Sequence, residues 1–479
     1  MGYINESVIY NIYPLGFCGA PKENDFKQEY RLDKIYGWID HMKSMSVNAL
    51  VFNPVFESSK HGYDTIDYKK IDCRLGDNES FKKICKTLHD NGIRIMLDGV
   101  FNHVGRDFFA FKDVRQNREN SRYASWFENV NFRNNSPYND GFSYEGWAGH
   151  YDLVKLNLHN DEVVNYLLDC ARFWIDEFDI DGLRLDAADC IDIEFFKKLK
   201  NTCKEKKSDF WLYGEITHGD YNHWANPDVL DSVTNYECYK GIYSSHNDHN
   251  YFEIAHSLNR QFANGGIYRN IYTYNFVDNH DVNRVASMLK DKNHLNNVYT
   301  MMYTMPGVPS IYYGSEFGIE GMRTAYSDYE LRPCLDLDSI PNPNYELLEH
   351  IKKLGVVRLA LEALKYGDFE NIKCNSNTMY NYGMAAYEIR DRIGKNVSFE
   401  FNVCDGAGEG FSSAHEGDIR PSEIFPEPVG SHILAWRIQE PTDGGKMRIM
   451  SNIFRGVPKS DVFDKRIAPS ALAQIQTDF

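Results

Sequence analysis

Four short β-type runs in the 479-residue chain end in clusters of carboxylates and other polar side chains. RIML at 94–97 leads into Asp98, Asn102 and His103. GLRL at 182–185 contains Arg184 and ends at Asp186, WLY at 211–213 is followed by Glu215, and YTYNFV at 272–277 by Asp278, His280 and Asp281. Residues two apart on a strand share a face, so Arg184 and Asp186 stand together, opposite Leu183 and Leu185. A fixed guanidinium favours the charged form of a neighbouring carboxyl, which suits Asp186 to nucleophilic attack. Glu215 follows an apolar, aromatic run, a setting that raises a carboxyl pKa toward the working range of a general acid. One carboxylate kept charged and one kept protonated is the pairing that glycosidic cleavage with retention requires.

Each residue also has a plainer reading. A lone Asp or Glu at a strand end is usually a helix cap or a solvated loop residue, and a lone histidine such as His103 is usually structural. Trp126, Tyr144 and Trp147 read first as the core of a loop region and second as sugar-stacking surfaces. Trp174 and Phe178 lie on a helical stripe and are packing. What accident does not readily supply is the ordered set of four strand ends.

The elements that position these residues alternate between strand and helix. Eight β-type runs are legible: 8–13, 49–52, 94–97, 182–185, 211–213, 231–234, 272–277 and 310–313. Between the third run and its neighbours, a helix opening at Asn78 repeats Phe81, Ile84, Cys85 and Leu88 at helical spacing and stops at Gly92. Another starts near Asn160 and aligns Val164, Leu167, Leu168, Ala171, Trp174, Ile175 and Phe178. Such alternation predicts parallel strands joined by crossover helices, and eight of them predict a closed (β/α)8 TIM barrel, an α/β fold whose site lies at the carboxyl ends of the strands. The connection from the third strand to the fourth is too long for one crossover helix, so 104–151 is expected to be an inserted subdomain, with the barrel formed by 1–103 and 152–365. After a last barrel helix at 345–364, short β-like pieces with many Gly, Ser and Pro predict a C-terminal all-β domain at 366–440. The tail, 441–479, has no clear periodicity and is unassigned.

Composition narrows the ligand. Lys plus Arg number 52 against 69 Asp plus Glu, a formal net charge of −17 that lacks the basic footprint nucleic acid requires. Mean hydropathy is −0.53, no stretch of 18 apolar residues occurs, and the first ten residues (MGYINESVIY) resemble no signal peptide. These features point to a cytoplasmic protein without a membrane partner. Ten scattered cysteines with no CxxC read as reduced thiols. Aromatic residues make up 14% of the chain, with 32 Tyr and 7 Trp. Tyr and Trp pair an apolar face with a polar handle, which suits a neutral, hydroxyl-rich ligand.

DGVFNH (98–103), GLRLDAA (182–188), GEI (214–216) and FVDNHD (276–281), in that order, resemble the four signature regions of the α-amylase family of glycoside hydrolases. Supporting segments at 52–68, 155–163 and 306–316 resemble most the cyclomaltodextrinase, neopullulanase and maltogenic amylase branch. The resemblance, spanning 8–365, implies Asp186 as nucleophile, Glu215 as general acid/base and Asp278 as transition-state stabiliser. It places Tyr63, His103, Arg184 and His280 around the sugar whose bond breaks, Asp98 behind Arg184, and Arg332 against the next sugar outward. It implies an α-glucan oligosaccharide substrate, such as maltodextrin, starch fragment or cyclodextrin, and a covalent glycosyl-enzyme intermediate. No cofactor is required for that chemistry. Structural calcium, common in the family and often bound at the position of Asn102, is left open, because no full oxygen cage is identifiable. Two departures stand out. The amino-terminal β domain usual in the branch has no counterpart ahead of the barrel, and AADC at 187–190 differs from the branch's usual acceptor-side sequence. A glucanotransferase or α-glucoside isomerase on the same site, and a non-catalytic sugar-binding barrel, are the competing readings. Oligomeric state is not legible.

Overall fold

The computed structural model describes residues 3–369 and, beyond them, only the backbone of a few short strands between 387 and 455. The expected C-terminal β domain and the tail otherwise lie outside the described residues. Eight strands form the barrel: β1 (Ile9–Ile12), β2 (Ala49–Phe52), β3 (Arg94–Gly99), β4 (Gly182–Leu185), β5 (Trp211–Gly214), β6 (Ser232–Val233), β7 (Tyr274–Asn275) and β8 (Val308–Tyr312). All pairings are parallel, in the order β6-β5-β4-β3-β2-β1-β8-β7. A parallel bridge between Thr234 and Tyr274 joins the two outer strands and closes the ring.

Side-chain alternation divides each strand between two cores. Ile9, Ala49, Val51, Met96, Trp211, Tyr213, Tyr274, Phe276 and Val308 pack together inside the barrel. Their neighbours Tyr10, Leu50, Ile95, Leu97, Leu183, Leu185 and Leu212 face outward into the larger core beneath the helices. The inward side of β4 starts with Gly182, where a Cβ would meet Trp211 O at 2.5 Å and Met96 Cε at 2.7 Å. That opening admits the Met96 side chain and the Trp211 carbonyl against β4. Asp98, Arg184, Asp186 and Glu215 continue the inward rows of β3, β4 and β5, two to four residues nearer the mouth.

The helices have the legible stripes and caps. Asn78–Asp90 begins with a capping box, in which the Asp77 side chain accepts from Ser80 N and the Ser80 hydroxyl accepts from Asp77 N, and buries Phe81, Ile84, Cys85 and Leu88. Gly92 follows its end at φ +74°. Asp161–Phe178 is capped by Asn160 and buries the seven apolar residues of its expected stripe. The last barrel helix, Tyr345–Ala360, is shorter than 345–364, and a separate turn of helix, Glu362–Tyr366, follows Leu361.

Between β3 and β4, antiparallel strands His103–Gly105, Gly146–Trp147 and His150–Lys155 form a small sheet. His103 pairs with Lys155, so this sheet runs past 151 and roots the insertion directly in the active-site end of β3. Phe111, Phe127, Phe142 and Tyr144 are its buried core. Trp126 is also buried and donates to Glu162 Oε2 at 3.0 Å. Trp147 alone of the three singled-out aromatics reaches the cleft.

Candidate active site

A cleft of about 1240 Å3 opens at the carboxyl ends of the strands and is lined by Asp186, Glu215, Asp281, Tyr63, His103 and Arg332, among others. Arg184 organises its floor. Asp98 and Arg184 are register partners across β3 and β4, and Arg184 Nη1 donates to both Asp98 oxygens at 2.9 and 2.7 Å. The same nitrogen donates to Asp186 Oδ1 at 2.9 Å, while Nη2 stands 2.7 Å from Glu215 Oε2. Asp98 is itself held by Asn53 Nδ2 at 3.1 Å and by the Tyr63 hydroxyl at 3.0 Å. Asn11 Nδ2 in turn donates to Asn53 Oδ1 at 3.2 Å. Polar side chains at the ends of β1, β2, β3 and β4 thus form one buried chain ending on the two carboxylates.

The electrostatics differ from the sequence expectation in a useful way. Burial pushes the Asp186 carboxyl well above the usual carboxylate range, the nearby Glu215 charge adds to the rise, and Arg184 opposes it without cancelling it. One guanidinium faces three carboxyl groups, so its single charge is divided among Asp98, Asp186 and Glu215. Arg184 alone therefore does not keep Asp186 charged. The surroundings of Glu215 are not apolar either: besides Arg184, the Tyr236 hydroxyl donates to Oε1 at 3.1 Å and Ala187 N to Oε2 at 3.3 Å.

Of the three expected catalytic carboxylates, Asp278 is not brought to the cleft. The Ser315 hydroxyl lies 2.9 Å from each of its oxygens and Val285 N donates to Oδ2 at 2.9 Å. Burial raises its pKa. β7 ends at Asn275, so the chain is no longer extended at 278, and alternation cannot be carried that far. Asp281 lines the cleft instead. Its Oδ1 accepts from Arg332 Nη2 at 3.0 Å, and its Oδ2 lies 2.9 Å from His280 Nε2. Burial opposes its charge, but His280, Arg332 and Arg184 outweigh that and hold the carboxyl far below its usual range.

The remaining expected residues converge. Tyr63 stacks on His280 with ring centroids 5.5 Å apart and its hydroxyl contacts His280 Nε2. Tyr13 stacks on His280 at 5.9 Å. Arg332 lies over Tyr13 at 4.6 Å and also donates to His280 O at 3.0 Å. His103 Nε2 is 3.9 Å from Asp186 Oδ2, buried and without a hydrogen-bond partner. Burial lowers its pKa to about 3, so the ring is neutral. Asn53, Tyr236 and Tyr13 were not singled out from sequence. Asn53 follows β2 two residues after Val51, so extending the alternation used for β4 would have found it.

Asn102 is buried beside His103. Its amide nitrogen lies 3.2 Å from His103 Nδ1, and no group of three acidic, thiol or imidazole ligands gathers beside it among the described residues. Among the described residues the one group with such spacing, Glu57, Asp72 and Cys73, is elsewhere. Its carboxylates already accept from Lys70, Arg74 and Cys73 N.

A closed parallel barrel with paired carboxylates on one guanidinium at its carboxyl end, beneath an insertion after the third strand, defines a carboxylate-site barrel of the glycosidase type. Residues 12–353 match the family model "Alpha amylase, catalytic domain", and the chain belongs to the alpha-amylase family. It is 33% identical over 376 residues to an intracellular maltogenic amylase of Bacillus subtilis, covering 74% of this chain and 62% of that one. It is 34% identical over 385 residues to a cyclomaltodextrinase of Geobacillus thermopakistaniensis, covering 76% and 64%. The chain thus spans under two thirds of the length of these curated relatives. Among solved structures, the ligand-free cyclic alpha-maltosyl-(1-->6)-maltose hydrolase of Arthrobacter globiformis superposes with a TM-score of 0.69 at 27% identity, covering 78% of this chain and 87% of that one.

Proposed function

We propose that the protein is a retaining glycoside hydrolase that cleaves α-1,4-glucosidic bonds in maltodextrins, starch fragments or cyclodextrins. The observation that carries this reading is that Asp186 and Glu215 are fastened to adjacent nitrogens of the single guanidinium of Arg184. Sharing one guanidinium favours the close spacing of a retaining pair, about 5–5.5 Å, over the roughly 6.5–9.5 Å of an inverting one. The names of the maltogenic and cyclomaltodextrin-acting relatives support the choice of α-glucan.

In this mechanism Asp186 attacks the anomeric carbon while Glu215 gives its proton to the departing glycosidic oxygen, and a glycosyl ester forms on Asp186. Glu215, now a carboxylate, takes a proton from water, whose oxygen displaces Asp186 and restores both residues. Asp281 takes the role expected of Asp278. It is held ionised in the cleft by Arg332 and His280, where its charge stabilises the oxocarbenium-like transition state. His103 Nε2, buried and unpartnered beside Asp186, is the group left to bond a sugar hydroxyl, and Tyr63 presents an aromatic face stacked on His280.

We also place the protein in the cytoplasm. The thiols of the eight described cysteines are free, and one relative is named intracellular. The test compares the wild type with Glu215→Gln on maltotriose, cyclodextrin, starch, pullulan and sucrose. The wild type is expected to release sugar from the α-1,4 substrates and the variant to lose at least about a hundredfold of that rate. No release from any substrate, or equal rates, would overturn the proposal.

A further inference from the structure

The wall of the cleft after β8 carries an aromatic residue that the fold itself leaves unused. Tyr326 is 98% exposed, whereas most rings near the site are stacked or buried. A tight turn holds it: Thr324 N donates to Ser327 O at 3.0 Å and Tyr326 N to Thr324 Oγ1 at 3.3 Å. The turn is tied at both ends. Arg323 N donates to Asn283 Oδ1 at 2.7 Å and Arg323 Nε pairs with Asp328 at 3.1 Å. Asp328 Oδ2 in turn lies 3.1 Å from Arg332 Nη2, the nitrogen that also holds Asp281. The backbone that presents Tyr326 is therefore connected to the catalytic cluster through Asp328 and Arg332. Beside it, Tyr329 lies under Lys22 Nζ at 4.4 Å, and both also line the cleft.

An exposed ring costs free energy in water that contact with an apolar surface recovers. In this cleft the matching surface is the C–H face of a glucose ring. Glucose hydroxyls can be met by the polar groups around it, Arg323, Asp328 and Lys22. Resting on the proposed α-glucan hydrolysis, we propose that Tyr326 is a stacking platform for an outer glucose unit on the Arg332 side of the cleft, so that it sets the preference for longer α-1,4 chains.

The test compares wild type, Tyr326→Ala and Tyr326→Phe on maltotriose and maltoheptaose, with calorimetric titration of maltoheptaose as a second readout. Loss of one ring contact is expected to lower the maltoheptaose-to-maltotriose ratio of kcat/KM about five- to tenfold in Tyr326→Ala, through KM, and to weaken maltoheptaose binding by a similar factor. Tyr326→Phe, which keeps the ring face, is expected to restore both. An unchanged ratio and unchanged binding in Tyr326→Ala, or a Phe variant as impaired as Ala, would overturn the platform. A wild type that binds maltoheptaose through Tyr326 but hydrolyses neither sugar would contradict the proposed hydrolysis while sustaining the platform.

Discussion

Arg184 Nη2 lies 2.7 Å from Glu215 Oε2 at the cleft floor, and the other terminal nitrogen of the same group serves Asp98 and Asp186. Lysine cannot reproduce this fork, because it offers one compact ammonium in place of a planar array. Arg184→Lys is therefore expected to lose at least about a hundredfold in kcat. Arg184→Met, which also removes the opposing charge, is expected to move the acidic limb of the rate profile to higher pH, since a carboxyl without its cation holds its proton longer. Rates across pH 4–8 check both, and an unmoved limb would show that Arg184 does not control the pair.

Asp278 and Asp281 separate by function. Asp281→Asn is expected to lower kcat about 10²- to 10³-fold, as for a group that acts on transition-state charge. Asp278→Asn removes a buried acceptor of Ser315 and Val285, so about 1–3 kcal/mol of stability should go, with kcat reduced less than tenfold. Parallel kinetics and urea unfolding distinguish them. The reverse pattern would return the catalytic role to Asp278.

Arg74 clamps two rim loops. Fully buried and paired with Asp72 at 2.7 Å, it donates to the carbonyls of Pro21 at 2.9 Å and Lys60 at 2.7 Å. These loops carry cleft residues Lys22 and Tyr63. Arg74→Met strands the Asp72 carboxylate, which is expected to cost about 3–5 kcal/mol. KM should rise more than kcat falls. A stable variant with wild-type KM would show that the clamp is dispensable.

His246 is buried, bonded through Nδ1 to Ile242 O at 2.7 Å, and burial lowers its pKa to about 4. The unfolded chain protonates this histidine near pH 6.5 while the folded protein does not, so its contribution to stability is present above about 6.5 and is lost as pH falls toward 4. The loss reaches about 3 kcal/mol at about 1.36 kcal/mol per pKa unit. Urea unfolding of wild type and His246→Asn between pH 4 and 7 should show a steeper decline in the wild type, and parallel slopes would refute the assignment.

Much of this was legible before the structure because it rests on short-range periodicity. β2 and β4 match the sequence runs residue for residue, and the shared face of Arg184 and Asp186 follows from a strand that stays extended through both. Asp278 took its expected role from the family resemblance alone, and periodicity could not have checked it, because β7 stops at Asn275. Which of two carboxylates in FVDNHD enters the cleft depends on Ser315 and Arg332, partners distant in sequence. The surroundings of Glu215 were misread for the same reason: its local run is aromatic, but the groups it meets come from Arg184, Tyr236 and Ala187.

The central claim is that Asp186 and Glu215 work by double displacement at one guanidinium. It is tested most directly by proton NMR of maltotriose hydrolysis within the first minutes, before the released sugar mutarotates. Retention predicts that the new reducing end appears first as the α-anomer and converts to the equilibrium mixture afterwards. First appearance of the β-anomer would mean a single inverting displacement, and would contradict the assignment of Asp186 as nucleophile.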